Sequence, residues 1–122
     1  MRIDLIGAGL IAHLWGDYIL QTEWMARRKT QAWLPAIAHA VVYGLPFLFL
    51  THSWFALVVI VGTHAVIDHY QLARCVIWLK GHFGPHEYRV SWDYVRTEWT
   101  WLMIVVDNTM HITINTLAIV WL

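Results

Sequence analysis

The chain has 122 residues, of which 59% are hydrophobic and 13% charged, against about 45–50% and about 25% in an ordinary soluble domain. Eight basic and eight acidic residues cancel, which leaves no basic footprint for nucleic acid. A single cysteine excludes an internal disulfide, and the apolar excess, with nine tryptophans, leaves too little polar surface for a soluble domain.

A membrane crossing needs about 20 mainly apolar residues, and four stretches qualify. The first, residues 3–21, contains "HLWGDYILQT", with His13, Asp17 and Gln21. It has no small-residue cleavage site and reads as a retained helix rather than a signal peptide. The second, residues 33–50, carries His39. Pro35 sits in its first turn, where a missing amide donor costs little, and Pro46 is placed to kink its far end. The third, residues 54–71, or to 79 if the helix runs on, contains "HAVID" with His64 and Asp68, followed by His69. The fourth, residues 99–122, contains "DNTMH" with Asp107, Asn108 and His111, and Asn115 one turn further on. Trp24, Trp33, Trp54, Trp78, Trp99, Trp101 and Trp121 fall near the ends, as interfacial anchors should.

The basic residues set the orientation. Arg27, Arg28 and Lys29 lie between spans one and two, and Arg74, Lys80, Arg89 and Arg96 between spans three and four; only Arg2 lies elsewhere. The positive-inside rule makes loops 22–32 and 72–98 cytoplasmic and puts both termini outside. The expected fold is all-α: one integral-membrane domain, residues 1–122, built as a four-transmembrane-helix bundle in the cell (inner) membrane. Its loops are short except for the cytoplasmic segment of about 80–98, whose aromatic and basic residues suit the headgroup layer and equally an ordinary ordered loop. The expected partners are the lipid bilayer and a second copy of the chain in a homo-oligomer.

The polar residues inside these spans carry the chemistry. His13 and Asp17 are four apart, as are His64 and Asp68, so each pair shares a helix face. Asp107 and His111 repeat the spacing in reverse order. Spans one and three run inward and span four runs outward, so the reversal leaves the spatial order unchanged. In all three helices the Asp lies about 6 Å closer to the cytoplasm than the His. His39 falls near the level of the carboxylates. A weak echo between "HLWGDY" and "HAVIDHY" fits two parallel hairpin repeats.

A carboxylate at a helix centre in lipid costs about 2.5–3.5 kcal/mol, so these groups must satisfy one another or a bound ion. One His–Asp pair is most often a hydrogen-bonded structural pair; three with matched orientation favour a metal. Neutral imidazole and ionised carboxylate suit zinc, manganese or iron, and facing helices of a bundle hold dinuclear metals in this way. His13, Asp17, His64, Asp68, Asp107 and His111 are the candidate ligands, enough for two ions. His39 is the candidate catalytic acid or base. Gln21, His69, Asn108 and Asn115 are candidates for orienting the ligands. The leading expectation is a metal-dependent hydrolase acting on a phosphoester or amphipathic substrate. The alternatives are an oligomeric transporter of metal ions or protons, and a non-catalytic membrane interaction protein in which the polar cluster only fixes helix packing.

In "HLWGDYILQTEWMARRK", "HAVVYG", "HAVIDHY" and "DNTMH" the chain resembles the domain-of-unknown-function 3307 family of small bacterial and phage multi-pass membrane proteins. The resemblance covers nearly the whole chain. It implies His13, Asp17, Gln21, His39, His64, Asp68, Asp107 and His111 as family-type positions, with Asn108 where the family has Gln, and it implies no settled activity. The intramembrane His/Asp motifs are also, more loosely, similar to those of membrane-bound metal-dependent hydrolases.

Overall fold

The computed structural model describes residues 3–98 and 100–122. Arg2 and Trp99, read above as an outer charge and an interfacial anchor, lie outside the described residues. Among the described residues the chain is all-helical: α1 (Ile3–Leu14), α2 (Glu23–Arg28), α3 (Trp33–Gly44), α4 (Trp54–Tyr70), α5 (Leu72–Lys80), α6 (Trp92–Glu98) and α7 (Thr100–Trp121).

Local chemistry sets the boundaries. α1 continues into a π-helical turn, Trp15–Ile19, closed by the Leu20 N–H on the Trp15 carbonyl at 2.9 Å. Thr22 caps α2 by accepting from the Met25 N–H, and Ser53 caps α4 by accepting from the Ala56 N–H at 3.2 Å. α3 gives way at Gly44 to a 3₁₀ segment, Leu45–Phe49. Pro46 has no N–H to continue the α-helical ladder there. α4 ends at Tyr70 because Gln71 adopts the left-handed conformation (φ 51°). The chain then bends by 66° into α5, so the third apolar stretch does not run on straight to residue 79.

The long helices alternate in direction. Pairs of contacts carry the alternation: Gly16 meets Tyr43 where Asp17 meets His39, Gly44 meets Val61 where His39 meets Asp68, and Gly9 meets Ile119 where His13 meets Asn108. Ala12, Tyr43, Phe47, Ala56, Leu57, Ile60 and Ala118 form one apolar cluster between them. α3 packs on α4, α4 on α7 and α1 on α7, while α5 lies against α7 and carries α6. Buried alanines (12, 36, 40, 56, 65 and 118) keep side chains small where helix axes approach. Gly16 does the same for the π turn: a Cβ there would run into the Tyr43 ring and lie 3.1 Å from the Tyr43 Cα.

Polarity is inverted relative to a water-soluble domain. His13, His39 and His64 are fully buried, as nearly are His111, Asn115 and Asp68. Leu34, Phe49, Phe55 and Val58 are each more than 60% exposed. By length and composition α7 is apolar enough to cross a membrane; α4 and α5 meet the same measure only when taken together across their bend, and Trp33–Phe49 is a shorter apolar helix.

Candidate metal centre

Beyond the apolar cluster, toward the end of the bundle that carries the α2–α3 and α4–α5 connections, the four long helices close around charged and imidazole groups. Each arrives by a definite local route. Asp17 projects from the π turn, His39 from the middle of α3, His64 and Asp68 from the last two turns of α4, Asp107 from the first half of α7 and His111 from its middle. π turns interrupt helices preferentially at functional positions, and this one carries a carboxylate of the cluster. The three pairs spaced four apart are in contact along their own helices: His13–Asp17 at 3.5 Å, His64–Asp68 at 3.4 Å and His111–Asp107 at 3.5 Å.

Four donors from three helices converge. His39 Nε2 and His64 Nε2 are 2.9 Å apart. Asp17 Oδ1 lies 3.2 Å from His39 Nε2 and 3.3 Å from His64 Nε2. Asp68 Oδ2 lies 3.3 Å and 3.4 Å from the same two nitrogens. A tetrahedral zinc ion with bonds near 2.0–2.1 Å holds its donors about 3.3–3.4 Å apart, so four edges of that figure are already near length and the fifth, between the two imidazoles at 2.9 Å, is short of it.

Hydrogen bonding alone leaves this arrangement frustrated. If both Nε2 atoms carried hydrogens, the two rings would oppose each other across 2.9 Å. If one lacks its hydrogen, its lone pair faces two carboxylate oxygens. A cation among the four donors turns each repulsion into an attraction. Asp17, His39, His64 and Asp68 therefore fit a divalent ion by donor type, convergence and spacing.

A second group shares Asp68 through its other oxygen. His111 Nε2 lies 3.0 Å from Asp68 Oδ1 and 3.5 Å from Asp107 Oδ2; Asp68, Asp107 and His111 have the separations a metal could use. His111 Nδ1 also meets His64 Nδ1 at 3.2 Å. The Asp107 side chain is 25% exposed and lines a cleft of about 170 Å³ together with Asp17, Tyr18, Gln21, Lys29, Met103, Ile104 and Asn108.

The remaining predicted residues surround these donors. His13 donates from Nε2 to Asn108 Oδ1 at 2.8 Å, so its Nδ1 accepts from the Tyr43 hydroxyl, also at 2.8 Å. With both nitrogens engaged it stands beside the four converging donors rather than among them. Asn108 also donates to the Tyr18 hydroxyl, and Asn115 donates to the Tyr43 hydroxyl at 2.5 Å. Gln21 accepts from the Lys29 ammonium at 2.8 Å. His69 turns away from the cluster, donating to the Lys29 carbonyl at 2.8 Å and stacking on Trp33.

Two further residues of the site, Lys29 and Tyr43, are not among the predicted ones. Lys29 counts in the sequence only as an orientation charge, yet its ammonium contacts Asp68 Oδ2 at 2.5 Å. Its reach depends on how α2 folds back on α4, which periodicity does not show. Tyr43 is fully buried, stacked on His64 with ring centroids 3.6 Å apart and planes 10° from parallel. Its signal was available: it lies four residues after His39, on the same helix face.

Over residues 5–122 the sequence matches the family described as "Protein of unknown function (DUF3307)", and the chain belongs to that family. No curated protein and no solved structure matches it.

Proposed function

We propose that this member of the DUF3307 family is a membrane-embedded four-helix bundle that binds a divalent transition metal through Asp17, His39, His64 and Asp68. The observation that carries the reading is the convergence of four donors from three helices, with five separations of 2.9–3.4 Å. Two imidazoles and two carboxylates suit zinc best, with manganese and iron as competitors. In this reading His39 is a ligand, and the ligand places expected for His13, Asp107 and His111 become supporting ones.

The inverted polarity supports the membrane setting. Imidazole and carboxylate fill the interior while leucine, valine and phenylalanine cover the outside, an arrangement that lipid favours and water does not. The four crossings would then be Ile3–Leu14 with its π turn, Trp33–Phe49, Trp54–Tyr70 and Thr100–Trp121. Each of the first three is about 25 Å long at 1.5 Å per residue, near the short limit for a bilayer core. The end with Arg27, Arg28, Lys29 and Arg74 would face the cytoplasm.

The activity this site serves best is hydrolysis of a phosphoester or amphipathic substrate entering from that end. A divalent ion held there would supply Lewis acidity to water or a phosphoryl oxygen, which would have to enter as a fifth ligand beside the four protein donors. The cleft supplies what else is needed. Lys29 offers positive charge to an anionic head, Met103 and Ile104 offer apolar surface, and the partly exposed Asp107 can accept a proton at Oδ2. Elemental analysis of protein purified in detergent without chelator tests the first step. Metal should co-purify with the wild type and be lost when Asp17→Asn and His64→Gln are combined, with helicity unchanged by circular dichroism. Wild-type protein that neither retains nor takes up zinc, manganese or iron would refute it.

One observation favours a second reading, proton movement. His39 Nε2 meets His64 Nε2 at 2.9 Å, His64 Nδ1 meets His111 Nδ1 at 3.2 Å, and His111 Nε2 meets Asp68 Oδ1 at 3.0 Å. Such a chain of imidazoles and a carboxylate is the material of a relay. Proton flux into proteoliposomes that is lost with Asp68→Asn would favour transport over hydrolysis; metal binding without flux would remove it.

A further inference from the structure

We infer that the cluster takes a single metal ion, held by Asp17, His39, His64 and Asp68, and that His111 with Asp107 is the hydrogen-bonded support of that site rather than a second one. The inference rests on the metal reading above and makes it more specific.

The first observation is the contact between His64 Nδ1 and His111 Nδ1, 3.2 Å apart and buried. A hydrogen bond there holds one hydrogen: two would repel, and none would set two lone pairs against each other. If His64 ligates an ion through Nε2, its hydrogen sits on Nδ1 and is donated to His111. His111 Nδ1 is then the acceptor, and the His111 hydrogen sits on Nε2. That nitrogen has Asp68 Oδ1 at 3.0 Å and Asp107 Oδ2 at 3.5 Å to receive it. A nitrogen that carries a hydrogen has no lone pair for a metal. Loading the four-donor group therefore removes His111 from the second group, and loading the second group through His111 Nε2 would in turn remove His64 from the first.

The second observation is charge. Asp17, Asp68 and Asp107 bring three negative charges, and among the described residues Lys29 is the lysine or arginine in contact with them, on Asp68 Oδ2. The balance of two negative charges is what one divalent ion neutralises. A second ion would leave the same excess with the opposite sign in a poorly solvated site, where uncompensated charge is costly. Lys29, on Asp68 Oδ2, thus already supplies part of the positive charge that a dinuclear site would take from its second metal. The resulting order, ion–His64–His111–Asp68, extends the usual pattern in which a metal-bound imidazole donates to a carboxylate by one imidazole. It closes on a carboxylate whose other oxygen is itself a ligand, which fixes the orientation of His64 and Asp68 together.

The test is a cobalt(II) titration of full-length, chelator-stripped protein in detergent, read by visible absorption and by elemental count after dialysis. Wild type should saturate at one equivalent. His111→Ala should keep that end point and the tetrahedral cobalt spectrum while weakening affinity about 10- to 100-fold, the usual range for an outer partner of a metal ligand. His111→Gln, able to accept and donate at similar positions, should recover part of that loss. Asp107→Asn, a near-isosteric change at a side chain partly exposed in the cleft, should also bind one equivalent. Two equivalents in the wild type, falling to one in His111→Ala or Asp107→Asn, would overturn this inference and leave metal binding intact. No uptake by the wild type would instead overturn the metal reading itself, and this inference with it.

Discussion

Removing one oxygen atom, by Tyr43→Phe, separates the scaffold of the site from its ligands. The hydroxyl is fully buried, accepts from Asn115 Nδ2 at 2.5 Å and donates to His13 Nδ1 at 2.8 Å. Without it, one buried donor and one buried acceptor lose their partners. Asp17 Oδ2, 3.5 Å from His13 Nδ1, is itself an acceptor and cannot replace the hydroxyl. Each stranded group costs about 1–3 kcal/mol, so the variant should lose about 2–6 kcal/mol of unfolding free energy. The ring remains, still stacked on His64 at 3.6 Å, so metal affinity should change by less than about tenfold. Reversible unfolding of the detergent-solubilised protein measures the first quantity and metal titration the second. Adding Asn115→Leu should recover part of the stability, because removing both partners costs less than stranding one. A Tyr43→Phe protein within about 0.5 kcal/mol of wild type, below the cost of even one stranded group, would refute the network as described.

Two further substitutions probe how the fold delivers the ligands. Gly16→Ala places a methyl group against the Tyr43 ring and backbone; overpacking of this kind costs about 1–3 kcal/mol. Because the displaced π turn carries Asp17, it should also weaken metal binding, and a titration that leaves affinity at the wild-type level would contradict that coupling. Lys29→Met removes the ammonium 2.5 Å from Asp68 Oδ2 and leaves the cluster one charge more negative. Metal binding should then tighten by more than about 100-fold, since a unit charge and a divalent ion near 5 Å repel by about 7 kcal/mol at an effective dielectric of 20, and weaker binding would show that Lys29 supports the ligands instead of competing with the ion.

Much of the helical layout is legible in the sequence because apolar stretches and caps are local signals. The three pairs are legible for the same reason: a spacing of four residues fixes a shared face whatever the helices later do. His39 is marked by depth alone, and the structure sets its Nε2 among the donors of α1 and α4. What escapes is non-local. Lys29 reaches Asp68 across 39 residues, and Tyr43 reaches Asn115 across 72, and neither separation leaves a periodic trace. The engagement of both His13 nitrogens follows from two partners on different helices. Spacing alone makes His13 equivalent to His64, and only the packing distinguishes them. The bend at Gln71 likewise depends on a left-handed residue that is not glycine, so no glycine or proline marks it in an otherwise apolar run.

X-ray absorption at the zinc edge of the zinc-loaded protein tests the central claim most directly, because it counts and identifies the donors. The account predicts a four-coordinate shell at about 2.0–2.1 Å, with outer-shell scattering from two imidazoles, reduced to one by His64→Gln. An all-oxygen shell without imidazole scattering, or a spectrum unchanged by His64→Gln, would contradict it.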